Sequence, residues 1–156
     1  KLVSEVARVL VPGGFFAFNT SFYSGTYLPG TERLYVDWVQ RALEELMERA
    51  TREGFRRKKG KGRRAFSQPW LSKDEYRELL ERFGFTIENV NERTVDLTRH
   101  SFETIGAYSG CASVVLSGWP VTPASEALQR AAGPALEAAG MDVVPRQWLE
   151  MIAFRS

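Results

Sequence analysis

The chain has 156 residues, of which 44% are hydrophobic and 26% are charged, and its formal net charge is +2. This length and composition suit a globular domain with a real core, and no apolar run reaches the ~18 residues that a membrane span needs. The single cysteine, Cys111, excludes an internal disulfide and predicts a reducing, cytoplasmic location. One histidine and one cysteine cannot build a zinc site, so no metal is expected.

The first twenty residues predict a helix that leads into a buried strand. Val3, Val6 and Leu10 recur at helical spacing, and the Pro-Gly-Gly sequence after them ends that helix. The apolar run that follows predicts a strand over 14–20, covered on both faces. A helix that runs directly into a buried strand implies an earlier strand, so the chain is expected to begin inside an α/β repeat.

Two helices are predicted between this strand and the next. The first covers about 32–52 and ends at Gly54. Its predicted apolar stripe consists of Val36, Val39, Leu43, Leu46 and Ala50. The second begins with a capping box at Ser72 and Glu75, and Gly84 is the natural residue to end it.

Strands are predicted on either side of a long helical region. Residues 85–98 predict one or two strand segments, with a bend or bulge at 89–91 where the apolar alternation breaks. A final, well-covered strand is predicted over 146–154.

The region between these strands predicts two helices. One covers 101–117 and carries small residues on one side, which predicts close packing against a neighbour. The other is capped by Thr122, with Pro123 at its first position, and ends at Gly140. An interruption is predicted at Gly133 and Pro134.

Two segments resemble the class I S-adenosylmethionine-dependent methyltransferases. Residues 8–14, Arg-Val-Leu-Val-Pro-Gly-Gly, are similar to the family segment that joins the fourth crossover helix to the fifth strand. Residues 71–85, which begin Leu-Ser-Lys-Asp-Glu-Tyr and end Phe-Gly-Phe, are similar to the helix before strand six. The family's glycine-rich cofactor loop and the acidic end of its second strand match nothing here. The resemblance therefore implies that 1–156 is the C-terminal part of one α/β, Rossmann-like methyltransferase domain, with S-adenosylmethionine bound by residues upstream.

The resemblance also implies a strand order. Residues 14–20, 85–97 and 146–154 would be strands five, six and seven, with strand seven antiparallel and between the other two. The other edge of 14–20 would then face a missing strand, and its expected partner is the missing N-terminal half or another copy of the chain. Residues 99–140 replace a short turn of the family and are interpreted as a helical insertion.

The insertion has two interpretations. It is a lid over the substrate, with Tyr108 or Phe102 facing the pocket, or a helical pair that only covers the sheet.

Candidate substrate-binding residues lie after the first strand, because ligands bind beyond the carboxyl ends of strands in open α/β sheets. They are Asn19, Thr20, Phe22, Tyr23 and Tyr27, joined by Tyr108 from the insertion. The alternative is that Asn19 and Thr20 only end the strand, while the aromatic residues pack under the next helix. No catalytic residue is identified, and the only histidine, His100, is expected at the surface.

The implied function is methyl transfer from S-adenosylmethionine to a small, partly apolar molecule, with this chain inactive by itself. The alternative is a non-enzymatic module that binds an anionic partner, RNA or a carrier protein, through the basic run 56–64. That run holds seven of the 21 basic residues, while the remaining 14 face 19 acidic residues. Poor interleaving with aromatic residues argues against nucleic acid, and 54–69 is also interpreted as a basic, flexible linker.

Overall fold

The computed structural model describes residues 2–58 and 70–156. Within them lie three strands, β1 (Phe15–Thr20), β2 (Phe85–Thr98) and β3 (Val143–Arg155). The helices there are α1 (Leu2–Val9), α2 (Glu32–Glu53), α3 (Lys73–Arg82), α4 (Arg99–Ala107), α5 (Ser109–Val115) and α6 (Val121–Ala139). The chain divides into two compact units. The sheet unit is the described part of 1–28, 69–95 and 145–156, and the helical unit is the described part of 29–68 and 96–144.

The three strands form one antiparallel sheet with the order β1-β3-β2. β3 runs antiparallel to β1, with Phe15 opposite Phe154. On its other side, Asn91 of β2 donates a side-chain hydrogen bond to Glu150 of β3 at 3.1 Å. The order and the antiparallel last strand are those implied for strands five, seven and six, so this prediction is confirmed. The chain is of the mixed α/β class.

One face of the sheet carries the core of the sheet unit. Its buried residues are Tyr23, Leu80, Phe85, Leu149, Met151 and Ala153, and the predicted stripe of α1 packs against them. On the other face Phe15 is 65% exposed, and its ring meets that of Phe154 edge-on at 6.3 Å. Within residues 2–58 and 70–156, the strand is therefore covered on one face, and the predicted cover on both faces is not observed. Successive side chains of a strand point to opposite faces, and along β1 only alternate residues reach the core.

β2 is one continuous strand with a change of side-chain phase. Phe85 and Ile87 contact the core, and Val90 contacts the same cluster. Side chains on one face of a strand are an even number of residues apart, so the odd step from Ile87 to Val90 requires one extra residue, as in a β-bulge. This agrees with the bulge predicted at 89–91, whereas the option of two separate strand segments is not observed.

The local signals around α3 produce the predicted helix. The Ser72 hydroxyl accepts a hydrogen bond from the Glu75 amide at 3.1 Å, and the Ser72 amide donates to the Glu75 carboxylate at 2.7 Å. Because this reciprocal capping satisfies helix N-terminal donors, α3 begins where the sequence predicts. After it Gly84 has a positive φ of 76°, a conformation that suits glycine.

The helical unit is built around α6, against which α2 and α4 pack. The indole nitrogen of Trp38 on α2 donates a buried hydrogen bond to the carbonyl oxygen of Leu128 on α6, at 2.7 Å. A Cβ atom added to Gly106 of α4 would lie only 3.0 Å from Leu128 Cβ. The close packing predicted from small residues is thus confirmed at Gly106.

The buried face of α2 differs from the predicted stripe. Its buried residues are Leu34, Trp38, Ala42 and Leu46, each four positions from the last. Val36, on the predicted stripe, is 69% exposed. The helix instead buries the neighbouring face, which carries the large indole of Trp38. The predicted bounds and the end at Gly54, whose φ is 78°, are confirmed.

Two helix predictions in the insertion are wrong. The helix predicted over 101–117 is interrupted at Tyr108, whose backbone is extended, so that α4 and α5 are separate. The predicted break at Gly133 and Pro134 does not occur, since α6 is continuous there. Pro134 is exposed, and the packing of the opposite, alanine-rich face of α6 holds the helix together.

The start of α6 also differs from the prediction. The helix begins at Val121 with Pro120 as its N-cap, so Thr122 is not the cap and Pro123 lies within the first turn. The predicted end at Gly140 is confirmed, with a φ of 64°. No helix within residues 2–58 and 70–156 combines the length and the apolar character that crossing a membrane requires.

Residues 59–69, which hold most of the predicted linker and of the basic run, lie outside the described residues. The described residues just before them contact the turn that precedes α6. Arg57 Nε donates to the carbonyl oxygen of Ser117 at 3.1 Å, and the Lys58 amide donates to that of Gly118 at 2.8 Å. These contacts give the first basic residues a defined position in the helical unit.

Candidate functional site

The candidate site lies in the loop that follows β1 in the sheet unit. The Thr20 hydroxyl accepts a hydrogen bond from the Phe22 amide at 2.9 Å, which turns the chain at the end of the strand. The Ser24 amide donates to the carbonyl oxygen of Leu71 at 3.0 Å and so ties this loop to the segment before α3. The loop is therefore held in place by the sheet unit.

Four side chains meet at this loop, and we call Phe22, Tyr27, Trp70 and Arg146 the aromatic–arginine cluster. Trp70 contacts Phe22 edge-on and Tyr27 at a tilt, with ring centroids 5.7 Å apart in both pairs. The guanidinium carbon of Arg146 lies 5.2 Å from the centre of the Tyr27 ring and 6.0 Å from that of Phe22. Three rings and one cation thus share a single patch.

Arg146 is anchored to the loop that it covers. Its Nε donates to the Thr26 hydroxyl at 3.1 Å, and one Nη donates to the carbonyl oxygen of Ser21 at 2.9 Å. Cation–π contacts of this kind contribute about 0.5–1 kcal/mol at exposed sites and more when they are desolvated. Together the bonds and the stacking fix the guanidinium against the rings.

The cluster presents aromatic surface to solvent. Phe22 is 58% exposed, whereas Tyr27, Trp70 and Arg146 are partly buried behind it. Such a surface can stack against a flat apolar group while the adjacent guanidinium favours electron-rich or anionic substituents. Chemically, the patch can bind and orient a ligand, and it contains no evident acid or base for proton transfer.

Tyr23, a predicted substrate contact, lies elsewhere. It is only 1% exposed and belongs to the core of the sheet unit, so it is not accessible to a substrate. Its hydroxyl donates to Glu92 at 3.0 Å, and Lys73 Nζ lies 2.6 Å from the other Glu92 oxygen. Burial, assisted by Glu92, raises the pKa of Tyr23, and the hydrogen bond from Lys73 lowers the pKa of Glu92. This chain of three groups is a structural link.

The other predicted residues are dispersed. Asn19 is exposed and lines a shallow pocket of about 230 Å³ between β1 and β3, beside Glu150. Tyr108 is 68% exposed in the helical unit. Phe102, the other residue expected to face substrate, is buried against Trp38, with ring centroids 5.0 Å apart. Of the six candidates, only Phe22 and Tyr27 belong to the cluster, and Thr20 shapes the turn beside it.

Trp70 and Arg146 were not predicted as site residues. Trp70 precedes a helix and Arg146 lies in the last strand, more than forty residues from the loop that they contact. The available signals were a tryptophan just before a helix and an arginine near the start of a strand rich in apolar residues. Neither signal says which part of the chain the residue will touch.

The segment that holds β1 and its following loop lacks the usual nucleoside-binding groups for S-adenosylmethionine, the cofactor that the resemblance implies. In nucleotide-binding α/β folds a carboxylate near a strand end binds the ribose, and a glycine-rich turn lets the backbone approach the ligand closely. Residues 15–31, which contain β1 and its following loop, include no aspartate or glutamate and no closely spaced pair of glycines. This segment therefore does not fit the cofactor.

Comparison with known proteins adds no assignment. Neither a family model nor a curated protein matches the sequence.

Proposed function

We propose that this chain is the C-terminal part of a cytoplasmic S-adenosylmethionine-dependent methyltransferase with a Rossmann-like fold. The observation that carries the proposal is the strand order β1-β3-β2 with an antiparallel β3. Residues outside 1–156 supply the cofactor pocket, and the chain alone is inactive. The acceptor is a small, partly apolar molecule.

In this proposal the aromatic–arginine cluster forms one wall of the acceptor pocket. A sulfonium methyl group is already activated, so the protein accelerates transfer mainly by aligning the acceptor atom and excluding water. The exposed ring of Phe22 and the fixed guanidinium of Arg146 suit that positioning role. If the reaction needs a proton acceptor, a residue outside the aromatic–arginine cluster supplies it.

The edge of β1 is the proposed docking line for the missing part of the sheet. Among the described residues β1 has β3 as its strand neighbour, and it stands at the end of the strand order. Its outward edge and the exposed Phe15 on its uncovered face are features that a further strand and helix would bury. The proposed partner is the N-terminal half, or another copy along the same edge.

The experiment uses the full-length protein that carries this sequence, S-adenosylmethionine labelled in its methyl group, and a fractionated small-molecule extract. We expect labelled methyl to appear in a small, partly apolar product, and no transfer by residues 1–156 alone. Trp70→Ala and Arg146→Ala should raise the acceptor KM by about three- to tenfold, as the loss of one stacking contact implies, with the cofactor Kd unchanged. Arg93→Ala, an exposed change on β2, is the matched control.

Two results would count against the proposal. If the full-length protein fails to bind S-adenosylmethionine, the enzyme class is wrong. If transfer occurs but Trp70→Ala, Arg146→Ala and Arg93→Ala all have the wild-type KM, the acceptor lies elsewhere.

A further inference from the structure

An open groove lies in the helical unit at the C-terminal end of α2. It has a volume of about 460 Å³, which falls in the ~300–1,000 Å³ range of small-molecule sites. Its walls include Met47, Ala50 and Thr51 of α2, Arg56 and Arg57 beyond the helix, and Trp119. The residues of the groove belong to the helical unit, whereas the four residues of the aromatic–arginine cluster belong to the sheet unit.

The apolar part of the groove comes from Met47, Ala50 and Trp119. The Trp119 ring is braced edge-on by Phe55, with ring centroids 6.2 Å apart, so its position is fixed. Met47 is an exposed, large apolar side chain on the same wall, and methionine adapts its shape to varied apolar ligands. At Gly54 nothing lies within 4 Å of the place that a Cβ would occupy, which keeps the helix end open.

The charged part comes from Arg56 and Arg57. Both are exposed, and no carboxylate of residues 2–58 and 70–156 lies within ion-pair distance of either. The nearest acid in sequence, Glu53, is instead paired with Arg49 at 3.0 Å, and Arg49 also holds Glu126 at 2.7 Å. The bond from Arg57 Nε to the Ser117 carbonyl oxygen positions one guanidinium at the groove. The groove is therefore apolar on one side and positively charged on the other.

We propose that this groove binds a small amphipathic anion. Its flat apolar body lies against Trp119 and Met47, and its phosphate or carboxylate group pairs with Arg56 and Arg57. An arginine guanidinium binds a phosphate or a carboxylate through paired hydrogen bonds. Either anionic group therefore satisfies this side of the groove. A long polyanion such as RNA would need an extended basic track with stacking platforms, and this short groove offers a single indole. The inference does not depend on methyl transfer.

The test is calorimetric titration of the chain with 1-naphthyl phosphate and 1-naphthoate, the two arms that separate phosphate from carboxylate. Two half-ligands serve as controls: neutral 1-naphthol has the apolar ring without the charge, and inorganic phosphate has the charge without the ring. We expect at least one naphthyl anion to bind more than about tenfold more tightly than either half-ligand, since the anion and the ring contribute together. Arg56→Ala with Arg57→Ala should weaken that binding about tenfold or more, the scale of one lost charged hydrogen bond.

Two further variants make the test specific. Thr51→Trp places a bulky side chain on an exposed helix position that lines the groove, and it should block binding without removing a charge. Arg33→Ala removes an exposed arginine at the opposite end of α2 and should leave binding unchanged. Circular dichroism checks that each variant is folded.

Several results would overturn the proposal. It fails if neither naphthyl anion binds, if Thr51→Trp binds as well as wild type, or if Arg33→Ala weakens binding as much as the double variant. Binding of a single-stranded oligonucleotide with a steep salt dependence, and no binding of the naphthyl anions, would replace the small ligand by nucleic acid.

Discussion

Arg155, at the end of β3, donates a hydrogen bond from Nη1 to the carbonyl oxygen of Gly84 at 2.9 Å. The same atom lies 3.2 Å from the carbonyl oxygen of Phe83, and Nε donates to that of Ala7 at 3.2 Å. The last carbonyl groups of a helix lack partners within the helix, and here one guanidinium serves the ends of α1 and α3 together. The end of the chain's last strand thereby joins both helices of the sheet unit.

The Arg155 clamp makes Gly84 sensitive to substitution. Gly84 has a φ of 76°, and an added Cβ would meet the Arg155 guanidinium. We expect Gly84→Ala to lower the free energy of unfolding by about 2–4 kcal/mol. About 1–2 kcal/mol comes from the left-handed backbone, and the rest from displaced charged hydrogen bonds. Urea unfolding at neutral pH measures it.

Gly140→Ala is the matched control for this substitution. Gly140 has a φ of 64° and also ends a helix, but nothing lies within 4 Å of the position that an added Cβ would take. Gly140→Ala should therefore show the backbone cost alone, about 1–2 kcal/mol. Equal losses for the two variants would mean that the Arg155 contacts at Gly84 contribute nothing measurable.

Pro134 offers a stabilising substitution. It lies inside α6 and is exposed, so it removes a hydrogen bond to the helix without a packing role. Proline costs about 3 kcal/mol in a helix interior, and its loss gives back up to ~1 kcal/mol of entropy to the unfolded chain. We expect Pro134→Ala to raise the free energy of unfolding by about 2–3 kcal/mol, measured by urea or thermal unfolding.

Pro123 provides the control within the same helix. The first intrahelical bond of α6 runs from the Ala124 amide to the Pro120 carbonyl oxygen, so an amide at 123 would have no helical acceptor. Pro123→Ala should therefore be neutral or destabilising by up to ~1 kcal/mol. A gain at Pro123 as large as at Pro134 would contradict the assignment of the cost to the helix interior.

The link between Tyr23, Glu92 and Lys73 predicts how stability depends on pH. The pKa of Glu92 is lowered from 4.5 in the folded chain, chiefly by Lys73, so its contribution is present above about pH 4.5 and is lost as the pH falls. Burial raises the pKa of Tyr23 above 10, so its contribution is present below pH 10 and is lost as the pH rises further. The two groups act at opposite ends of the pH range.

Glu92→Gln isolates the acid limb. Urea unfolding of wild type and variant between pH 3 and pH 7 should show a shallower loss of stability in the variant below about pH 4.5. Glu88→Gln, an exposed change on the same strand, should keep the wild-type slope. Parallel curves for wild type and Glu92→Gln would show that the Lys73 contact does not favour the ionised carboxylate.

The strand positions followed from strong local signals, whereas the order of the sheet was implied only by the family resemblance. Proline and paired glycines before Phe15 set the start of β1, and the capping box at Ser72 set the start of α3. Such signals involve only neighbouring residues, so they do not depend on which distant parts of the chain pack together. The face of α2 did not follow from its aliphatic residues, because Trp38 gains more from burial and from its bond to Leu128.

Only part of the candidate site was predicted from the sequence, because local signals place some of its residues and tertiary packing brings in the others. Phe22 and Tyr27 lie next to a strand end, where a general rule places ligands. Their partners Trp70 and Arg146 arrive from distant segments through tertiary packing. Tyr23 likewise has a distant partner, since its hydroxyl donates a hydrogen bond to Glu92, which is 69 residues away.

Gly106 tests how closely α4 and α6 pack in the helical unit. An alanine Cβ there would lie 3.0 Å from the Gln129 backbone nitrogen and 3.0 Å from Leu128 Cβ, neither of which is a flexible side-chain end. Alanine favours a helix by about 1 kcal/mol over glycine, whereas overpacking costs about 1–3 kcal/mol. We expect the overpacking to win, so Gly106→Ala should lower the free energy of unfolding by up to about 2 kcal/mol.

Gly110→Ala separates the two effects. It brings the same gain in helix propensity in α5, but the atoms that its Cβ would meet belong to the ring of Tyr108, an exposed side chain that can move away. Gly110→Ala should therefore leave stability unchanged or raise it by up to ~1 kcal/mol in the same urea titration. If Gly106→Ala were also stabilising, α4 would have to move away from α6 at little cost, and the close contact at Gly106 would not hold the two helices together.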